Sequence, residues 1–152
     1  MSDRDQIQRI LFDDIDVRGV VTSLDKSYQD VIALHDYPLQ IAQILGQMLA
    51  AVTILSSNLK FNGKLVLQAK GEGSVSALMA ECSNLNECRA IAQYDSSFTA
   101  NQSFQQMLVK GHLVITIEPE VGQRYQGFVP LEHDTLAECL ADYFQRSEQL
   151  DT

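Results

Sequence analysis

The side chains best suited to chemistry here are three cysteines and two histidine–aspartate pairs. Cys82 and Cys88 are spaced C-x5-C, and Cys139 stands alone much later in the chain. A structural zinc site takes four ligands, with thiols usually arranged as C-x2–4-C plus a second pair. These thiols and the scattered His35, His112 and His133 do not supply that pattern, so no metal ligand is assigned. An odd, sparse set of cysteines reads as reduced thiols in a cytosolic setting rather than as a disulfide framework. His35-Asp36 and His133-Asp134 each place an imidazole beside a carboxylate, and Glu132 adds an acid to the second pair. Both pairs fall at element boundaries, where a turn or surface role is enough to explain them. The enzymatic alternative is a small cytosolic enzyme of acidic metabolites or peptides that uses the Glu132-His133-Asp134 region.

Two further motifs have bland readings. Ser23-Leu24-Asp25-Lys26 matches the Ser-x-x-Lys of penicillin-recognising enzymes, but their Ser-Asp-Asn and Lys-Thr-Gly elements do not occur. Ser23 is instead expected to cap a helix by accepting from a free backbone N–H. Gly71-Glu72-Gly73 has the first two glycines of a nucleotide loop, but Ser76 stands where the third belongs, so a turn is expected. No catalytic residue and no cofactor-binding residue is assigned. The absence of a reactive constellation favours a binding protein over an enzyme.

The elements that would position these residues follow from periodicity. Ile7 to Phe12 and the β-branched Val17-Arg18-Gly19-Val20-Val21-Thr22 read as strands around a turn at Asp13-Asp14. Leu24, Tyr28, Val31 and Ile32 share one helical face, and Pro38 separates that helix from the next. From Tyr37 to Leu59 there is no charged residue. Ile41, Ile44, Leu45, Met48, Leu49, Val52 and Leu55 recur at helical spacing, and this segment is long enough to cross a bilayer. Gln40, Gln43, Gln47 and Ser56-Ser57-Asn58 interrupt it without a flanking basic cluster, so a helix covered on both sides by protein is expected. Strands follow at Leu65–Ala69, Val75–Cys82, Cys88–Tyr94, Leu113–Ile117 and Tyr125–Leu131, with a short helix near Phe104–Leu108. Thr135 and Glu138 have capping-box spacing, and Leu136, Cys139, Leu140, Tyr143 and Phe144 form the stripe of a last helix. The fold class is α+β: largely antiparallel sheets in two layers packed around a long buried helix, with a C-terminal amphipathic helix, in one domain over residues 1–152.

Eleven basic and 20 acidic residues give a formal charge of -9, which disfavours a nucleic-acid ligand. The polar start, Met1 to Arg9, lacks the apolar core of a signal peptide, which points to a cytoplasmic protein.

The end of the chain is distinctive. Arg124-Tyr125-Gln126-Gly127, Asp134-Thr135-Leu136-Ala137, Cys139-Leu140, Asp142-Tyr143-Phe144 and Ser147-Glu148-Gln149-Leu150 closely resemble the signature of the 33-kDa redox-regulated chaperonins. Val17-Arg18-Gly19, His35-Asp36-Tyr37-Pro38, Leu59-Lys60-Phe61-x-Gly63, Gly71-x-Gly73 and Val114-Ile115-Thr116-Ile117 occur in that family's order. The resemblance implies a homodimerising holdase that binds unfolding client proteins in the bacterial cytosol under oxidative and heat stress. It also implies a zinc module of Cys-x-Cys and Cys-x-x-Cys whose oxidation releases metal and unfolds it, since metal binding supplies its folding free energy. Those four cysteines do not occur here, and Cys82, Cys88 and Cys139 match none of them. The expectation is therefore an N-terminal body that holds no zinc, carries no redox switch of that kind, is left with an unpaired sheet edge or uncovered apolar surface, and self-associates. The client-binding residues are not assigned by the resemblance. A dimerisation scaffold without client binding is the remaining alternative.

Overall fold

The computed structural model describes residues 4–148. Gln149 and Leu150 of the terminal signature, and Met1 to Asp3 of the polar start, lie outside the described residues.

Among the described residues, two antiparallel sheets and four α-helices follow the order anticipated from periodicity. β1 (Gln6–Phe12) and β2 (Val17–Ser23) make a two-stranded ribbon, with Arg9 opposite Val20 and Phe12 opposite Val17. Helices α1 (Lys26–Ala33) and α2 (Leu39–Ser56) come next, separated at Pro38. The remaining strands are β3 (Gly63–Lys70), β4 (Val75–Ser83), β5 (Cys88–Tyr94), β6 (His112–Pro119) and β7 (Tyr125–Pro130). They form a five-stranded sheet in the order β5-β4-β3-β6-β7. The short α3 (Phe104–Met107) precedes β6, and α4 (Leu136–Tyr143) runs into a π-helical turn, Phe144–Glu148.

Strand alternation sorts the large sheet into two faces. Leu65, Leu67 and Ala69 of β3 stand opposite Cys82, Ala80 and Leu78 of β4 and Ile117, Ile115 and Leu113 of β6. This face packs against α2, whose Ile41, Leu45, Met48, Leu49 and Val52 are buried with it. Burying each such side chain is worth roughly 1.5–3 kcal/mol, so this seam dominates the fold. The opposite face combines ion pairs with apolar residues, among them the exposed Ile91 and Phe128. Lys64 lies 3.2 Å from Glu81 and 3.7 Å from Glu118, and Arg89 lies 2.6 Å from Glu81.

The long helix meets protein unevenly. One side is buried on the sheet, while α1 and β2 cover part of the other. Gln43 and Gln47 remain exposed, and Ala50, Ala51, Ile54 and Leu55 are half-buried. Its span-like length and hydropathy are thus explained by the inward face of a two-layer core.

Local details show what sets the boundaries. Ser23 does not cap α1: it ends β2, and Asp25 occupies the N-cap position without a side-chain cap. The cap comes from across the chain. The buried Asp5 carboxylate accepts from the backbone N–H of Asp25, from the Ser27 N–H at 3.1 Å and from the Ser27 hydroxyl at 2.9 Å. A carboxylate at a helix N-terminus satisfies free N–H groups and complements the helix dipole, so proximity in space replaces the expected local hydroxyl. Gly71-Glu72-Gly73 is a turn, as expected. A Cβ on Gly73 would come within 2.3 Å of the Met107 carbonyl oxygen, so the turn's contact with α3 requires glycine there.

Candidate functional site

The histidine–aspartate pairs resolve into structural contacts. His35 and Asp36 lie in the connection between α1 and α2. The His35 ring is 5.3 Å from that of Tyr37, and the Asp36 carbonyl accepts from the Tyr94 hydroxyl at 3.4 Å. Tyr37, Tyr94 and Phe98 continue this as an aromatic row. Aromatic contacts of this kind anchor a loop.

The second cluster is denser. Thr135 caps α4, its hydroxyl accepting from the Glu138 N–H at 3.2 Å. Glu138 does not close the reciprocal half of the capping box. Its carboxylate lies 4.0 Å from His133 Nδ1 instead. His133 Nε2 lies 3.5 Å from Asp142 Oδ2, near enough to feel its charge but not aligned as a hydrogen bond. Arg146 joins the loop to the helix, 2.9 Å from Glu132 and 2.8 Å from Asp142. The Glu132 hydrogen bond and the charge of Asp142 hold the guanidinium above its ordinary value. The Asp134 side of the cluster is tied by backbone, its carbonyl accepting from the Phe104 N–H at 2.9 Å.

Cys139 completes this region without activating it. The buried thiol donates toward the His133 carbonyl at 3.7 Å. Burial raises its pKa, and the neighbouring Asp142, Glu138 and Asp134 carboxylates raise it further. A nucleophilic cysteine needs the opposite surroundings, namely cations or a helix N-terminus that favour thiolate. The arrangement of 132–146 therefore fastens α4 and its π-turn to the end of β7.

The other two cysteines correct an expectation. Cys82 and Cys88, read above as reduced thiols, are bonded to each other. They are register partners on adjacent antiparallel strands, with Cα atoms 4.1 Å apart. Directly opposed residues in a non-hydrogen-bonded pair approach this closely, and C-x5-C across a short hairpin places them so. An odd count does not preclude one local pair, which is why the arithmetic misled. For the zinc that the resemblance implies, the donors among the described residues do not supply a four-ligand site. Two of three thiols are consumed by the disulfide, and among the described residues no three of His, Cys, Asp and Glu are arranged so as to hold a metal ion.

What the molecule does offer is uncovered apolar surface. On the ribbon face bearing even-numbered β1 residues, Ile10 and Phe12 stand with Val17 and Val21. All four are exposed, Phe12 at 50% and Val21 at 52%, and Leu11 and Ile15 near the turn are exposed as well. A two-stranded ribbon is at best marginally stable alone, so an uncovered apolar face on one is unusual. A second apolar feature is a groove of about 530 Å³ between the half-covered side of α2 and α4. Ala51, Ile54, Leu55, Leu136, Leu140 and Phe144 line it. Sequence reasoning placed the ribbon strands but did not single out this face. Alternation of Ile10 and Phe12 with Val17 and Val21 was the available signal, but it does not tell whether a second layer covers them.

A shared feature ties α4 to the sheet. A Cβ on Gly127 would meet the Tyr143 hydroxyl at 2.5 Å, so this glycine makes room for Tyr143 and Tyr125, whose hydroxyls lie 3.3 Å apart. Both residues belong to the terminal signature that marked the chain in sequence.

Comparisons with known proteins agree with that signature. The model of the family described as Hsp33 protein matches residues 5–152. The "33 kDa chaperonin" of Pseudomonas aeruginosa is 51% identical over 153 residues, covering 100% of this chain and 52% of that protein. The protein of the same name from Shewanella loihica is 45% identical and covers 98% of this chain and 52% of its own length. The chain thus spans about half the length of the curated relatives it matches. Among solved structures, the 33 kDa chaperonin (heat shock protein 33 homolog) of Thermotoga maritima superposes with a TM-score of 0.81 at 19% identity. It covers 96% of this chain and 52% of that one, and at this identity the likeness is one of fold. With nearly every residue inside the family model and half of them identical in full-coverage relatives, this chain belongs to the Hsp33 family.

Proposed function

We propose that this chain is the client-holding body of a cytoplasmic, redox-regulated chaperone, which binds unfolding polypeptides and blocks their aggregation under heat and oxidative stress. The observation that carries the reading is the uncovered apolar face of the β1–β2 ribbon, with Ile10, Phe12, Val17 and Val21 side by side. Such a face suits partners defined by exposed apolar side chains rather than by one shape. The formal charge of -9 keeps such a surface in solution by self-repulsion. The titrating groups near His133 are occupied in pinning α4, which supports binding rather than catalysis. On this reading the chain needs no metal to hold clients, and zinc-linked switching belongs to residues other than these. Homodimerisation is part of the proposal, through the outer strands β5 and β7, which each leave one row of backbone groups unpaired within the sheet.

The test is suppression of thermal aggregation of a model client at stoichiometric ratios, with and without reductant. Suppression in both conditions is expected. Failure in both would make this chain a dimerisation scaffold and move holding elsewhere.

A further inference from the structure

A second site lies on the opposite face of the same ribbon. Arg9, Leu11, Arg18 and Val20 share that face by register, and Ser57 and Asn58 at the end of α2 lie beside them. With Leu59 and Lys60 they line a pocket of about 400 Å³, within the size range of small-ligand sites. No acidic residue lines it.

The charge distribution makes this pocket exceptional within the molecule. Of 11 Lys and Arg residues, seven are ion-paired to carboxylates: Arg4, Lys26, Lys64, Arg89, Lys110, Arg124 and Arg146. That leaves Arg9, Arg18, Lys60 and Lys70 without such a partner among the described residues, and three of these four line the one pocket. In a chain with 20 carboxylates, three cations lining one pocket without an acidic residue make a local positive site in a negative field. Arg9 is held in place by donating to the Ser57 carbonyl just past the end of α2, where helix carbonyls lack internal partners. The acidic turn of Asp13, Asp14 and Asp16 lines a separate hollow that shares only Leu11 and Arg18 with this one.

Two stretches that marked the chain in sequence meet here. Val17-Arg18-Gly19 and Leu59-Lys60-Phe61 are distant in the chain; Val17 belongs to the apolar face, and Arg18 turns to the other side of the ribbon. Arg18, Gly19, Leu59 and Lys60 all line the pocket.

We propose that this pocket binds a compact oxyanion, phosphate or carboxylate, carried on an apolar stem. Arg18 and Lys60 supply charge-assisted hydrogen bonds to the anion, and Leu11 and Leu59 receive the stem. The pocket borders the client-holding face at Ile10, but its charged side chains Arg18 and Lys60 are not part of that face.

The test is an NMR titration of amide shifts in the full chain with phenyl phosphate at low ionic strength. Inorganic phosphate and neutral benzyl alcohol serve as comparators. Saturable binding with a dissociation constant on the order of 1 mM or tighter is expected, with the largest shifts at Arg18–Val20 and Ser57–Lys60. Inorganic phosphate and benzyl alcohol should each bind more weakly. Arg18→Gln with Lys60→Gln should weaken phenyl phosphate about tenfold, and raised salt should weaken it too. Both residues are exposed, so the variant's melting curve should match the parent's, and its client holding should be unchanged. Shifts that do not saturate, shifts equally large around Lys70, equal binding of benzyl alcohol, or undiminished binding by the double variant would each overturn the proposal.

Discussion

The two antiparallel sheets of this molecule obey the same alternation and end in opposite circumstances. In the five-stranded sheet, the apolar face of β3, β4 and β6 is sealed by α2, and its other face is laced by Lys64, Glu81, Arg89 and Glu118. In the ribbon, the face with Ile10, Phe12, Val17 and Val21 has no layer over it among the described residues. Alternation alone therefore does not make a core. Apolar residues stabilise the fold only where a second layer removes them from water, and elsewhere they remain as binding surface.

That contrast predicts unequal consequences for similar substitutions. Leu67→Ala, at a site with 0% exposure on the sealed face, should cost about 2–5 kcal/mol in a denaturant titration. Gly73→Ala forces a Cβ against the Met107 carbonyl and should cost about 1–3 kcal/mol, read the same way. Removing the Asp5 cap with Asp5→Ala should cost about 1–2 kcal/mol and lower the protection of the first turn of α1 in hydrogen exchange. On the ribbon, Phe12→Ser with Val17→Ser should change stability by no more than about 0.5 kcal/mol while reducing client holding. A large stability loss from that pair would mean the face is sealed after all.

The smallest effect concerns the polar face of the large sheet. Burial pushes the Glu81 carboxyl up, but hydrogen bonds from Arg89 and Lys64 outweigh it and leave its pKa below the ordinary 4.5. A depressed carboxylate contributes stability that is present above the unfolded value and is lost as pH falls through the folded one. Stability should therefore decline as pH drops below about 4.5, and Glu81→Gln should flatten that decline in acid melts. Because Arg89 and Lys64 are partly solvated, salt should shrink the effect.

Much of this architecture was legible from residue periods. Leu65, Leu67 and Ala69 declared β3, the repeat from Ile41 to Val52 declared α2, and Ser103 with Gln106 closes a capping box at the short helix expected near Phe104. The misses share one cause, namely that they depend on distant partners. Ser23 looked like a cap because capping is usually local, but Asp5 reaches α1 from 20 residues away in sequence. The Cys82–Cys88 bond depends on strand register, which a cysteine count does not contain. The ribbon face and the Arg9–Arg18–Lys60 pocket depend on which layers are absent or adjacent, and composition is blind to that. The family signature was legible as contiguous residues, and Tyr125, Gly127 and Tyr143 within it pack closely together.

The most direct test is hydrogen exchange of the chain with and without a bound unfolded client. Added protection concentrated in Gln6–Phe12 and Val17–Ser23 is expected, with little change in β3 and β4. Protection confined instead to the exposed surroundings of Ile91 and Phe128, on the ion-paired face of the large sheet, would contradict the ribbon as the holding surface.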